Sequence, residues 1–145
     1  MKNTLLNIIL ITMILIASCK TSKKTQIIDT ESSLISLSKG RCLGNCPVYD
    51  LWIFKNGNVI YNGIDNVNKK GIQEITISES KIDTLTKLMT SINPSDLGEI
   101  KGYDKPLSIL RFNNKKFVYQ SKNIQGNLHK INNLIENIHF YINNR

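Results

Sequence analysis

Two runs of branched and aromatic side chains, VYDLWIF over residues 48–54 and NVIYN over 58–62, face each other across Asn56-Gly57. Asn-Gly between two such runs is the strongest short-range hairpin signal, because both residues tolerate the positive φ that a tight reversal needs. The chain is therefore expected to build an antiparallel sheet. Counting outward from a two-residue loop pairs Ile53 with Ile60 on one face, and Phe54 with Val59 and Trp52 with Tyr61 on the other. Both faces of the hairpin are apolar in this register.

The flanking sequence supplies the other elements. In LISLSK, residues 34–39, Ile35 and Leu37 share one side of a strand, and residues 72–77 form a fourth strand with Ile75 and Ile77 pointing together. Ser78 stands at an N-cap position, with Glu79 in the first turn, where the helix dipole favours an acid. Ile82, Leu85, Met89 and Ile92 then recur at steps of three or four until Asn93-Pro94 stops the helix. A long loop, NPSDLGEIKGYDKP, leads to a second hairpin, 107–112 with 115–119, turning on Asn113-Asn114. A last helix from about Asn127 places Leu128, Ile131, Leu134 or Ile135, Ile138 and Ile142 on one side. The order β-β-β-β-α-β-β-α defines an α+β fold, a mostly antiparallel sheet of about six strands with two helices on one face.

The first twenty residues, MKNTLLNIILITMILIASCK, carry the three parts of a secretion signal: Lys2, an apolar run over 5–17, and small residues. Asn7 and Thr12 interrupt the run. It falls short of the about 20 apolar residues that a bilayer-spanning helix needs. Ile16, Ala17 and Ser18 ahead of Cys19 resemble a bacterial lipobox. That resemblance implies a diacylglycerol on the Cys19 thiol, cleavage before it, and acylation of the new amino group. More than one chain matters, since a single chain at about 0.8 kcal/mol per buried methylene anchors only marginally. The expected organisation is a lipoprotein signal peptide over 1–18, a lipidated flexible tether over 19–33 and a single α+β domain over 34–145.

Removing residues 1–18 leaves 127 residues and takes the count from 19 basic and 11 acidic side chains to 18 and 11. A basic balance raises nucleic acid as a partner. The lysines are scattered singly, and the envelope offers no nucleic-acid target, so the expected partner is the membrane, through the N-terminal lipid, with a protein of the envelope as a further possibility. Lys20, Lys23 and Lys24 lie beside the lipid, where each adds about 1 kcal/mol of attraction to an anionic surface. By resemblance to lipoprotein sorting rules, Lys rather than Asp after Cys19 points to the outer membrane. The acidic residues that mark surface export in some groups are missing, which places the domain on the periplasmic side.

Gly40, Cys42, Gly44, Cys46, Pro47 and Tyr49 read G-x-C-x-G-x-C-P-x-Y, and Gly57, Val59, Tyr61 and Gly63 continue as G-x-V-x-Y-x-G. On these residues the chain resembles the domain-of-unknown-function family 6438, often found in small bacterial lipoproteins. Asp104 and Pro106 also sit where the family tends to carry Asp and Pro. Asn127 follows Gly126 where the family pattern implies Pro, which leaves the start of the last helix open. The resemblance implies a location and a domain, and no activity.

Cys42 and Cys46 then have three readings. A zinc site wants about four ligands. Beyond the pair, the chain offers only His129 and His139, ten residues apart and about 80° from sharing a helix face, so no metal and no cofactor are expected. Thiol-disulfide exchange normally uses C-x-x-C at a helix N-terminus, whereas here C-x-x-x-C runs into a strand. The favoured reading is a structural disulfide in an oxidising compartment, with Gly44 supplying an unusual dihedral in the small ring.

Catalytic motifs are absent from the sequence, and Asp96, Glu99 and Asp104 on the long loop read as solvated acids. Trp52, Phe54, Val59 and Tyr61 are the candidate binding face if helices cover the opposite side. A two-residue turn in the second hairpin sets Arg111 opposite Lys116, so either an anion or acid sits between them or the register shifts. These features favour a lipid-anchored envelope protein acting as a non-catalytic binding or scaffolding module. The alternatives are thiol-disulfide exchange through Cys42 and Cys46, or an inhibitor or immunity-type module that caps another protein through the aromatic face.

Overall fold

The computed structural model describes residues 29–102 and 104–145. The segment expected to be a signal peptide, the expected lipidation site Cys19, and Lys20, Lys23 and Lys24 lie outside the described residues. Six strands follow the expected order: β1 (Ile35–Lys39), β2 (Val48–Ile53), β3 (Asn58–Asp65), β4 (Gly71–Thr76), β5 (Ser108–Phe112) and β6 (Lys115–Tyr119). The helix Glu79–Thr90, here α1, follows β4, and Gly126–Asn143, here α2, ends the fold. A short 3-10 turn, Pro94–Leu97, opens the long loop. All pairings are antiparallel, in the spatial order β4-β3-β2-β1-β5-β6, so β1 is central and joins the two hairpins.

Both helices pack on one face. Ile35 and Leu37 of β1, Leu51 and Ile53 of β2, Val59 and Tyr61 of β3 and Leu110 of β5 share one cluster with Leu85, Met89, Leu128, Ile131 and Ile135 of the helices. Burying each aliphatic side chain of this kind contributes about 1.5–3 kcal/mol. The alternation in β1 and the stripes in α1 and α2 were sufficient to name most of this core.

The first hairpin closes differently from the simplest expectation. Phe54 N–H donates to the Asn58 carbonyl at 2.9 Å and Gly57 N–H to the Phe54 carbonyl at 3.0 Å, enclosing three residues rather than two. Gly57 takes φ +82°, the left-handed position of a bulged turn, and a Cβ there would lie 2.5 Å from the Ile77 carbonyl oxygen. The extra residue slides the register, so Ile53 faces Val59, Trp52 faces Ile60 and Leu51 faces Tyr61. Val59 and Tyr61 therefore point into the helix-covered core, while Trp52 and Ile60 point to the other face. The four-residue aromatic face Trp52, Phe54, Val59, Tyr61 is split, because a shift of one residue inverts the strand. The second hairpin does follow the two-residue count: Asn113 and Asn114 take φ +46° and +63°, and Arg111 faces Lys116.

Asp96 is not a solvated acid. It is buried, and its Oδ2 accepts the backbone N–H of Asn127 at 3.1 Å and of Asn93 at 3.3 Å. The carboxylate thus caps the N-terminus of α2 from another segment, where the dipole favours negative charge. Gly126 makes this possible: its φ is +57°, and a Cβ would sit 2.2 Å from Asp96 Oδ1. This is what starts the last helix without the proline that the family pattern implies.

Candidate functional site

Between β1 and β2 the chain turns through a small ring closed by the Cys42–Cys46 disulfide, whose Cα atoms are 5.8 Å apart. Gly44 has no positive φ, contrary to expectation; instead its N–H donates to Cys42 Sγ at 3.2 Å, so the ring closes in an ordinary conformation. Asn66 Nδ2 donates to the Cys46 carbonyl at 3.1 Å, and Arg41 pairs with Asp65 at 3.1 Å, which ties the ring to the end of β3. Leu43, at the ring's tip, is 86% exposed.

A second loop reaches the same corner. Gln120, buried just after β6, accepts from Lys101 N–H at 2.9 Å and donates to the Gly102 carbonyl at 3.1 Å. Asn123 holds the Glu99 carbonyl at 2.7 Å. These side chains, which no spacing or motif marks out, bring residues 104–106 beside residues 46–47. The result is a cavity of about 310 Å³ whose wall includes Cys46, Pro47, Asp104, Pro106, Lys105 and Lys122, with Lys39 at its edge. The disulfide corner, Asp104 and Pro106 are thus one site in space although nearly sixty residues separate them.

Behind the corner lies a buried polar cluster. The Lys39 ammonium pairs with the Glu136 carboxylate of α2, their side chains 10% and 28% exposed, and lies 5.8 Å from the centre of the Tyr49 ring. His139 stacks on Tyr49 at 4.2 Å, nearly parallel. Burial, and then the Glu136 carboxylate, push the Tyr49 and Tyr119 phenols far above the ordinary range. The Tyr61 phenol is raised mainly by burial, and the donated hydrogen bond from Asn143 opposes this. Burial lowers the pKa of His139; the Glu136 carboxylate opposes that and the Lys39 ammonium adds to it. Asn143 Oδ1 accepts the Lys69 N–H at 3.0 Å, so its Nδ2 is the atom facing His139 Nδ1 at 3.1 Å, and the ring nitrogen there is an acceptor. The cluster holds its rings neutral. His129, in contrast, is exposed, and its ring meets the Asn133 amide.

On the sheet face opposite the helices one row crosses all six strands: Glu74, Ile60, Trp52, Ser36, Arg111, Lys116. Ile60 is buried in this row yet stands outside the helix-packed core, and Trp52 and Phe54 are half-buried. What remains of the expected aromatic face is Trp52 and Phe54 beside Ile60.

Comparison at the level of protein families matches residues 33–141 to the family described as Domain of unknown function (DUF6438). The match covers most of the chain, and the protein belongs to that family. No curated protein matches it.

Proposed function

We propose that this chain is a lipid-anchored envelope protein, held through Cys19 in the outer membrane and facing the periplasm, whose domain binds a partner without chemistry of its own. The observation that carries the binding reading is the convergence of Cys46, Pro47, Asp104 and Pro106 on one cavity with Lys105 and Lys122 in its wall. Those lysines suit a ligand or protein segment bearing a carboxylate. Among the described residues the four groups with displaced pKa values, Tyr49, Tyr61, Tyr119 and His139, do not line that wall. Their burial accounts for the displacement, so they read as packing rather than as an acid–base pair.

A second reading, thiol-disulfide exchange, draws support from the Gly44 N–H aimed at Cys42 Sγ, a donor that would favour a Cys42 thiolate after reduction. Thiol titration with and without a graded dithiol reductant separates the two. The binding reading expects a closed bond that resists mild reductant and does not exchange with a disulfide substrate. A pair that opens readily and turns such a substrate over sinks it. Mass spectrometry of the mature N-terminus tests the anchor, which requires acyl mass on Cys19.

A further inference from the structure

We propose that the end of the sheet farthest from the disulfide is an oxyanion pocket, built by Arg111 and Lys116 to take a phosphate group, either of a lipid headgroup or of a free small anion. This goes beyond the reading of the disulfide corner and does not rest on it. The turn Asn113-Asn114 makes Phe112 and Lys115 the pair that closes the hairpin. Arg111 and Lys116 are the next pair, in a non-hydrogen-bonded position of the ladder, where opposed side chains approach closest. Two cations there repel each other unless an anion lies between them.

Among the described residues no carboxylate comes within 4.0 Å of Arg111, Lys115 or Lys116. They instead border a cavity of about 460 Å³ that Ser33, Ser36 and the acid Glu31 also line. Lys115, paired with the core residue Phe112, belongs to the other side of the strand, so Arg111 and Lys116 set the charge of this face, and two cations against one carboxylate leave it positive. Ser36 stands directly across from Arg111 on β1, so a guanidinium fork and a hydroxyl donor serve the same space. Inorganic phosphate or a phosphodiester headgroup fits both the charge and the donors. The location matters as well. Residue 29, where the described chain begins, lies at this end of β1, ten residues after Cys19. That length spans at most about 35 Å, so an anchor on Cys19 holds this end near headgroups.

The test uses the full chain in neutral detergent micelles. Trp52 is the only tryptophan and stands two strands from Arg111 in the same row, so its emission reports the site. Inorganic phosphate is titrated in one arm and phosphatidylglycerol, doped into the micelles, in the other, with sodium chloride at matched ionic strength as control. The expected result is a saturable Trp52 response at least tenfold weaker in affinity in Lys116→Glu, whose melting temperature does not fall. Arg111→Gln provides a second variant with the same expectation. Response to both titrants supports the pocket with free phosphate admitted; response only to doped micelles supports it with the headgroup as source. No saturable response to either, a response that chloride reproduces, or one that both variants retain in full overturns the proposal.

Discussion

The two ends of β1 use charge in opposite ways. At the Lys39 end, beside the disulfide, the cations of β1 and the turn after it have acids, Lys39 with Glu136 and Arg41 with Asp65, and only Lys105 and Lys122 in the wall of the corner cavity meet none among the described residues. At the other end Arg111, Lys115 and Lys116 meet none among the described residues. The first end is organised by side chains that reach across segments, the second by a two-residue turn that leaves its cations to solvent. The contrast teaches which charges belong to the architecture and which remain for a ligand.

The largest effect should come from the buried pair. Glu136→Ala strands the Lys39 ammonium, whose side chain is only 10% exposed, and should cost about 3 kcal/mol. Removing both charges together, Lys39→Met with Glu136→Leu, should restore most of that loss, since an apolar pair needs no desolvation. Urea unfolding gives both numbers. Equal losses in the single and double variants would show that packing, not charge, fixes this end.

Opening the ring is next. Replacing Cys42 and Cys46 with Ser releases a five-residue loop, for which chain entropy predicts a loss of about 2 kcal/mol. The same unfolding assay reads it. A loss twice as large would mean that the ring also holds the 104–106 loop in place, and no loss would remove the staple from the account.

A smaller effect follows from His139. Its folded pKa lies below the ordinary 6.5, so the unfolded chain takes up a proton that the folded one resists. This contribution is complete above about pH 6.5 and is lost as the pH falls below it toward the folded value. His139→Phe keeps a ring against Tyr49 and cannot titrate. Its melting temperature should drop less than that of the native chain between about pH 7.5 and about pH 5.5. Parallel slopes would refute the assignment.

How much of this was legible follows the range of the interactions. Strand alternation and helical stripes are local, and Ile35, Leu37, Ile82, Leu85 and Ile131 could be assigned to the core from spacing alone. Asn113-Asn114 also announced its own turn. The first hairpin misled because Asn56-Gly57 fits two loops, and what selects the three-residue one is the Ile77 N–H donating to the Gly57 carbonyl at 2.9 Å, a contact from twenty residues away. The partnership of Asp96 with Asn127 and the Gln120 anchor are likewise invisible in spacing, since each depends on segments that meet only after folding. Within the candidate site, Cys42 and Cys46 could be paired in advance, whereas the cavity that joins Cys46 to Asp104 could not.

The smallest expected effect has the opposite sign, and it sets the two ends of β1 most directly against each other. Lys39 stabilises its end because an acid answers it, so Lys39→Ala should destabilise the fold. Arg111 faces Lys116 without one, and Arg111→Thr places a good strand former on an exposed hairpin while removing the repulsion. In phosphate-free buffer at low salt this change should raise stability by about 0.5 kcal/mol. Added salt should shrink the gain, because screening already weakens the repulsion in the native chain. Added phosphate should reverse its sign, since only the native chain has the site that the anion stabilises by binding. Chemical denaturation across those three buffers measures all of this, and a gain indifferent to salt and phosphate would assign it to strand propensity and leave the two ends alike in their use of charge.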